Sequence, residues 1–384
     1  MTQYDIIIIG GGIHGAGCAQ AAAAQGYSCL LLEKYPVPAQ GTSSRSSKLI
    51  HGGLRYLESR QFSLVKECLY ERRLLLENAP ELVKLVPFYI PVYKHSKRSP
   101  LLIRIGLMLY YLLGGGRFKR IHADQWPALD NISTTDLIAV YQYWDAQTDD
   151  VKLTTAVIKS AQILGAEICM NANVQNIQRD SNGYLLNYTF NNESRECHAQ
   201  CVINATGPWI NQLIQRIHPE PDIQNIDLIA GTHLVLPGNL DKGIYYLESP
   251  TDGRAIFVAP WKNHILIGTT ETLFSGSPDE IEPTSEEIEY LLSIYNHYFN
   301  KQLTRTDVIE SFAGCRVLPI SESSAFSRPR DTTILTDNPD EPHLFSIYGG
   351  KLTAYRATAE SIIMQIQSVL GERDIKAHTR NLKL

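Results

Sequence analysis

The chain predicts an α/β protein of two domains. One is a discontinuous dinucleotide-binding (Rossmann-like) domain, and the other is mainly antiparallel β-sheet with helices. Three observations carry that prediction. A continuous β-branched run, Asp5-Ile6-Ile7-Ile8-Ile9, opens into Gly10-Gly11-Gly12-Ile13-His14-Gly15. Two further strand patterns ending in small-residue turns follow far along the chain, Val202 to Trp209 and Phe345 to Thr353. Between them lie alternating segments divided by Gly, Pro and Asn, as an antiparallel sheet requires. The 384 residues suffice for two cores.

Taken in order, Asp5 to Ile9 reads as a parallel strand buried on both faces. Gly10 to Gly15 supplies the GxGxxG turn, and Ala16 to Gln25 is an alanine-rich helix. A second strand, Ser28 to Leu32, ends at Glu33 with Lys34 beside it. The motif alone is weak; a preceding strand, a following helix and an acid about 20 residues on are the context it needs. Gly12 then admits a pyrophosphate, the helix N-terminus favours its charge, and Glu33 accepts from ribose hydroxyls. A strand–helix turn without ligand is the plain alternative. In the next segment, Gly41 to Glu58, Thr42, Ser43, Ser44, Ser46 and Ser47 offer short donors to phosphate and sugar oxygens. Gly52-Gly53 lets backbone come near a ligand, and Arg55 adds a cation; the alternative is a solvated polar loop.

Phe62 to Glu81 has helical apolar spacing, whereas Pro87 to Asp149 reads as irregular and rich in Tyr and Trp. Ile168 to Ile177, Tyr184 to Phe190 and Cys201 to Ala205 read as a small antiparallel flap with a turn at Asn191-Asn192. Leu228 to Leu236, Gly243 to Leu247, Arg254 to Ala259 and Ile265 to Gly268 form a second sheet. Ser285 to Phe299 is helical, and a last helix runs to about Leu370. The expected division assigns residues 1–86, 150–215 and 331–384 to the dinucleotide domain, and 87–149 and 216–330 to a substrate domain.

A composition of 44% hydrophobic and 20% charged residues is ordinary for a soluble protein, and a net charge of −5 argues against a general nucleic-acid binder. Seven cysteines without framework spacing point to a reducing, cytoplasmic compartment. Cys197 and Cys201 have no second ligand pair, so no metal site is expected. Acidic Asp5 precedes the Ile6–Ile9 run, which does not read as a signal peptide. The longest apolar stretch, Leu101 to Leu113, is broken by Arg104 and falls short of the ~20 residues a membrane span takes.

The Gly41–Glu58 run closely resembles a signature of the FAD-dependent (aerobic, quinone-linked) glycerol-3-phosphate dehydrogenases. Val202 to Trp209 resembles the ATG segment that passes the flavin in two-domain FAD oxidoreductases. Gly231-Thr232-His233, Phe257 to Trp261, Gly268-Thr269-Thr270, Ala313 to Arg316 and Gly349-Gly350-Lys351-Leu352-Thr353 look like the family's blocks in the family's order. The resemblance covers most of the chain. It implies FAD as cofactor and oxidation of sn-glycerol 3-phosphate to dihydroxyacetone phosphate by hydride transfer from C2 to flavin N5. Electrons then pass to a quinone, or to oxygen in an oxidase branch. The implied cofactor contacts are Gly10, Gly12, Ile13, His14, Gly15, Glu33, Lys34, Thr42, Ser43, Ser47, Lys48, Leu49, Ile50, His51, Gly52, Val174, Ala205, Thr206, Gly207, Trp209, Gly349, Gly350, Lys351, Leu352 and Thr353. The helix after Thr353 would face the flavin N1/O2 edge and stabilise charge on the reduced ring.

A phosphate dianion needs several fixed cations or donors. Arg55, Arg330 and Lys351 are the candidates, with Tyr56 as a neutral donor and Thr270 in the substrate set. His233 is the candidate base, because imidazole titrates near physiological pH; a satisfied core histidine is its rival. Arg316 is expected to hold the developing alkoxide. Cys315, next along a strand, then points away, so FAD is expected to be noncovalent.

Between Glu81 and Asp124 there is no acidic residue, while Lys84, Lys94, Lys97, Arg98, Arg104, Arg117, Lys119 and Arg120 are positive. Around the apolar run Leu101–Leu113 this suits an anionic membrane surface where a quinone enters, on the inner face of the cytoplasmic membrane. A buried helix with solvated basic flanks is the alternative. Family members usually continue into an additional helical domain beyond this chain's last residues; a homodimer is allowed, and oligomeric state stays open. Glu271 stands where the family pattern has Asp, and Val317 where it has Pro. The rivals are an FAD oxidase or dehydrogenase of an amino acid or 2-hydroxy acid, and a flavin-binding protein without turnover.

Overall fold

The computed structural model describes residues 2–320 and 332–384. Thr2–Ile9 lies inside a nine-stranded sheet, paired in parallel with Cys29–Leu32 on one side and Glu193–Asn204 on the other. Glu167–Cys169 extends the parallel set beyond Cys29–Leu32, and Leu344–Tyr348 extends it beyond the end of Glu193–Asn204. Ile6, Ile7 and Ile8 are fully buried, as β-branched residues covered on both faces should be. Helices Ile13–Ala24, Asp150–Ile163 and Tyr355–Leu370 pack together over the sheet. Alanine and glycine on the first helix let it sit low on the strands. A Cβ at Gly15 would lie 1.8 Å from the Gly10 carbonyl oxygen. The expected flap is a meander of Ala172–Asp180, Gly183–Phe190 and Glu193–Asn204, with Asn191 and Asn192 both at positive φ in its turn.

The second sheet has ten strands, and two of its long members run outside the region the sequence marked as sheet. Val83–Tyr93 and Leu137–Thr148 pair antiparallel along nearly their whole length, so the segment expected to be irregular carries two central strands. Pro87 and Pro91 lie within the first of them and break the pattern by which a strand is recognised. Side-chain packing supplies what propensity lacks: Phe88, Tyr89, Tyr141 and Tyr143 are buried in two hydrophobic layers, one on each face. Ile226–Leu236 pairs with Glu310–Pro319, Thr272–Phe274 and His264–Gly268, and helix Ser285–Tyr298 covers one face. Leu49–Ile50 pairs with Gln147 and Ala146, which carries the hydroxyl-rich loop from the first sheet onto the edge of the second.

Candidate active site

A cavity of about 610 Å³ is lined by residues of both sheets. Its first half is backbone. Gly10, Gly12, Gly349 and Gly350 line it, and so do Ala205, Thr206 and Gly207 from the end of Glu193–Asn204. Helix Ile13–Ala24 begins there with no side-chain cap and no acidic residue in its first turn, so its N-terminus offers N–H groups to an anion. Ser43 Oγ accepts from the Ile13 N–H at 2.9 Å. Glu33, at the end of the second strand, accepts from the Gly11 and Tyr35 N–H groups at 2.5 and 2.9 Å. Burial raises its pKa against those hydrogen bonds. Both ring nitrogens of His14 are buried without a partner among the described residues, and burial pulls the ring's pKa down to about 4. Lys34, Tyr35 and Trp209 converge on Asp279 at the rim.

The second half is charged. His233 is 2% exposed, and its ring stacks on Phe312 with centroids 5.1 Å apart. Its Nε2 lies 2.9 Å from Ser47 Oγ, while Nδ1 has no hydrogen-bond partner among the described residues. The ring occupies the space of an absent side chain: a Cβ on the paired Gly268 would meet it at 2.2 Å. Burial, then the charges of Arg316 and Lys48, bring its pKa to about 3. The ring is therefore neutral near pH 7, and the expectation of a group titrating there does not hold for it in this structure. Arg316 Nη1 donates to Glu271 Oε1 at 2.9 Å. Lys351 Nζ sits 4.0 Å above the Tyr56 ring, and Arg55, Arg254 and His51 line the same wall.

Of the expected residues, Gly10, Gly12, Ile13, His14, Glu33, Lys34, Thr42, Ser43, Ser47, Leu49, His51, Val174, Ala205, Thr206, Gly207, Trp209 and Gly349 to Thr353 all line this cavity, together with Arg55, Tyr56, His233 and Arg316. Others do not. Lys48 is turned away and ion-paired with the fully buried Asp150, its Nζ at 2.7 and 2.9 Å from the two carboxylate oxygens. Thr270 accepts from the Thr232 N–H and donates to Glu287, whose carboxylate also gathers Thr232 and Thr272 and caps the Ser285–Tyr298 helix. Ile50 is a buried strand residue, and Gly15 serves helix–strand packing. The Gly52 N–H donates to Tyr110 Oη at 2.9 Å; Tyr110 donates in turn to Asp145, which is ion-paired with Arg72. That network supports the Gly52-Gly53 turn from behind, and its Asp145 reaches the cavity edge. Arg330 lies outside the described residues.

Sequence reading missed Arg254, Arg45 and Asp145 as cavity residues, and placed Glu271 only near the site. Arg254 follows an ordinary Asp252-Gly253 turn, and no motif marks it. Arg45 Nη1 donates to the Ala313 carbonyl and Thr42 Oγ1 to the Cys315 carbonyl, which stitches the hydroxyl-rich loop to Glu310–Pro319. Cys315 is 3% exposed in an apolar cluster, and burial pushes its thiol up to about 12. All seven cysteines are unpaired as disulfides. Among the described residues, no group of three or more His, Cys, Asp or Glu could hold a metal ion, and no helix is long and apolar enough to cross a membrane.

A glycine turn beneath a helix start without a side-chain cap, joined to a cavity holding a buried imidazole and several cations, is the arrangement a dinucleotide-dependent oxidoreductase needs. Residues 5–356 match the family model of FAD dependent oxidoreductases. The chain is 37% identical over 375 residues to a glycerol-3-phosphate dehydrogenase of Pseudomonas aeruginosa, covering 95% of this chain and 72% of that protein. It is 35% identical to a D-erythritol 1-phosphate dehydrogenase of Brucella abortus, covering 96% of this chain and 74% of that protein. The glycerol-3-phosphate dehydrogenase from Bacillus halodurans complexed with FAD superposes with a TM-score of 0.75 at 27% identity, covering 97% of this chain and 66% of that one. The chain belongs to the FAD-dependent glycerol-3-phosphate dehydrogenase family. It is an FAD-dependent dehydrogenase, and the residues present fit that cofactor. The helix start without a side-chain cap could hold a pyrophosphate and Glu33 the ribose hydroxyls, and the unpartnered His14 nitrogens belong to a ring that lines the same cavity.

Proposed function

We propose that this enzyme oxidises the secondary alcohol of sn-glycerol 3-phosphate, yielding dihydroxyacetone phosphate, and passes the electrons to a quinone. FAD, held noncovalently, supplies the acceptor for the hydride leaving C2. The observation that carries the reading is the convergence of Arg55, Arg254, Lys351 and Arg316 with the buried His233 on one glycine-lined cavity. Arg55, Lys351 and Arg254 hold the phosphate, with Arg330 a further candidate, and Tyr56 keeps Lys351 in place beneath its ammonium. His233 accepts the hydroxyl proton. Ser47 and the Phe312 stack fix the ring; burial depresses its proton affinity most, and a dianion in the cavity offsets the further depression by the Arg316 and Lys48 charges. Asp145, Tyr110 and Arg72 position the Gly52-Gly53 turn, and Lys48 and Thr270 act through the structure they hold.

A longer polyol phosphate is the second reading, favoured by the similarity to the D-erythritol 1-phosphate dehydrogenase. The test is anaerobic mixing of the purified flavoprotein with each phosphate while flavin absorption is followed. Prompt bleaching by sn-glycerol 3-phosphate is expected. Bleaching by D-erythritol 1-phosphate alone transfers the assignment, and bleaching only by an amino acid or 2-hydroxy acid overturns it. The membrane-surface role of the basic stretch is also proposed. Helix Pro100–Tyr110 and the turn after it expose Leu101, Leu102, Ile105, Met108, Tyr111 and Leu112 beside exposed Lys97, Arg104, Arg117, Lys119 and Arg120. Such a face suits an anionic bilayer from which a quinone is drawn. Binding to vesicles with anionic lipid, and none to neutral ones, is the expected result.

A further inference from the structure

The cations of the cavity are not alike. Lys351 rests on an aromatic face, which leaves its charge intact. Arg316 instead donates through Nη1 to Glu271 Oε1 at 2.9 Å, and its Nη2 lies 3.4 Å from Thr269 Oγ1. The Glu271 side chain is 4% exposed and lines the cavity while that of Arg316 is 26% exposed, so water screens this charge-assisted pair least at its carboxylate end. Arg254 Nη1 donates to the backbone carbonyl of Glu271 at 3.1 Å, which ties the Glu271 main chain to a second cavity cation. Arg316 lies in the strand that pairs with the one bearing His233, near enough for its charge to act on that ring. A third ion entering here meets a dipole and not a bare guanidinium.

That distinction decides what the proton-accepting end of the site admits. A hydroxyl group donates to a carboxylate and accepts from a guanidinium at once, with no change in net charge. A substrate carboxylate placed there has to displace Glu271 from Arg316 and then lie against it, two like charges in a confined space. The fold itself does not choose between alcohols and acids; the side chains at the site do. Resting on the polyol-phosphate reading, we propose that Glu271 is a specificity-determining residue. Paired with Arg316, it makes this end of the cavity a neutral couple that receives hydroxyl groups and excludes substrates bearing a carboxylate beside the carbon to be oxidised.

The experiment measures binding of acetate and of inorganic phosphate to the oxidised holoenzyme, by calorimetry and by perturbation of flavin absorption. It compares wild type with Glu271→Gln, Glu271→Ser and Glu271→Asp. The neutral variants are expected to bind acetate at least tenfold more tightly than wild type, while Glu271→Asp stays within threefold of it. Unchanged acetate affinity in the neutral variants overturns the proposal. An equal gain in Glu271→Asp also overturns it, since packing and not charge would then be the cause. Wild type alone provides a check that needs no variant to fold: it is expected to bind phosphate at least tenfold more tightly than acetate, and the reverse order overturns the proposal. None of these readings needs turnover. Failure of every polyol phosphate to bleach the flavin would remove the proposed function, and the acetate comparison would still report on the Glu271–Arg316 pair.

Discussion

The two halves of the cavity are made differently. On the glycine-lined side Gly10, Gly12, Gly349 and Gly350 present backbone, a helix without a side-chain cap presents N–H groups, and His14 keeps both ring nitrogens without a partner among the described residues. In and behind the charged half most charges are already engaged: Arg316 with Glu271, Lys48 with Asp150, Arg72 with Asp145, and Glu287 with three threonine hydroxyls. The first half is a shape that consecutive residues specify. The second is an electrostatic balance among residues far apart in the chain, where a charge near the cavity is not the same as a charge offered to it.

Breaking the shape should have the largest effect. Gly15→Val puts carbon where the Gly10 carbonyl oxygen lies 1.8 Å away, so the variant is expected to lose bound flavin and much of its stability. A stoichiometric flavin-to-protein absorbance ratio in that variant would show the turn to be less constrained than the structure has it. Asp150→Ala comes next. It strands the buried Lys48 ammonium, and denaturant unfolding should show a loss of about 3–5 kcal/mol.

His233→Asn should lower kcat by about 10²-fold while flavin content stays near wild type, as removal of a proton acceptor does. Retained kcat would make the ring a core histidine. Thr270→Val removes bonds to the Thr232 N–H and to Glu287, so a cost of about 1–3 kcal/mol in stability is expected, with KM within twofold of wild type. A large rise in KM at unchanged stability would return Thr270 to the substrate.

A slope with pH is the effect that needs no change near the charged half. His14 and His233 have pKa values lowered to about 4 and about 3 in the folded chain. Unfolding lets both bind protons below the ordinary histidine value near 6.5, so the unfolded state holds more protons between there and the folded values. Stability is fully present above about pH 6.5 and falls as pH drops towards 4 and then 3. Melting temperatures across that window should fall less steeply in His14→Gln; an identical slope would place the acid sensitivity elsewhere.

Much of the cofactor half was legible because a glycine turn, the strand before it and the acid after it are neighbours in sequence. Gly349 to Thr353 and Ala205 to Gly207 were legible by resemblance, and the cavity brings them beside Gly10 and Gly12. The strands at Val83–Tyr93 and Leu137–Thr148 were not, because Pro87 and Pro91 hide a pairing that aromatic packing from distant segments supports. Lys48 and Thr270 sit inside motifs that border the site, yet their side chains turn to partners more than 100 and nearly 40 residues away in sequence. Arg254 has no motif at all and enters the cavity only because the strand it leads into, Ala255–Trp261, does.

The amino-acid order alone determined the first parallel strands, the glycine turn, the acid at Glu33 and the family of the chain, since these rest on local spacing and on contiguous blocks. Tertiary structure decided which cations face the cavity, that His233 is buried and neutral, and that Arg316 is already bound to Glu271. The physical reason is that a backbone turn needs only its own residues, whereas the state of a charge depends on burial and on every ion brought near it by folding.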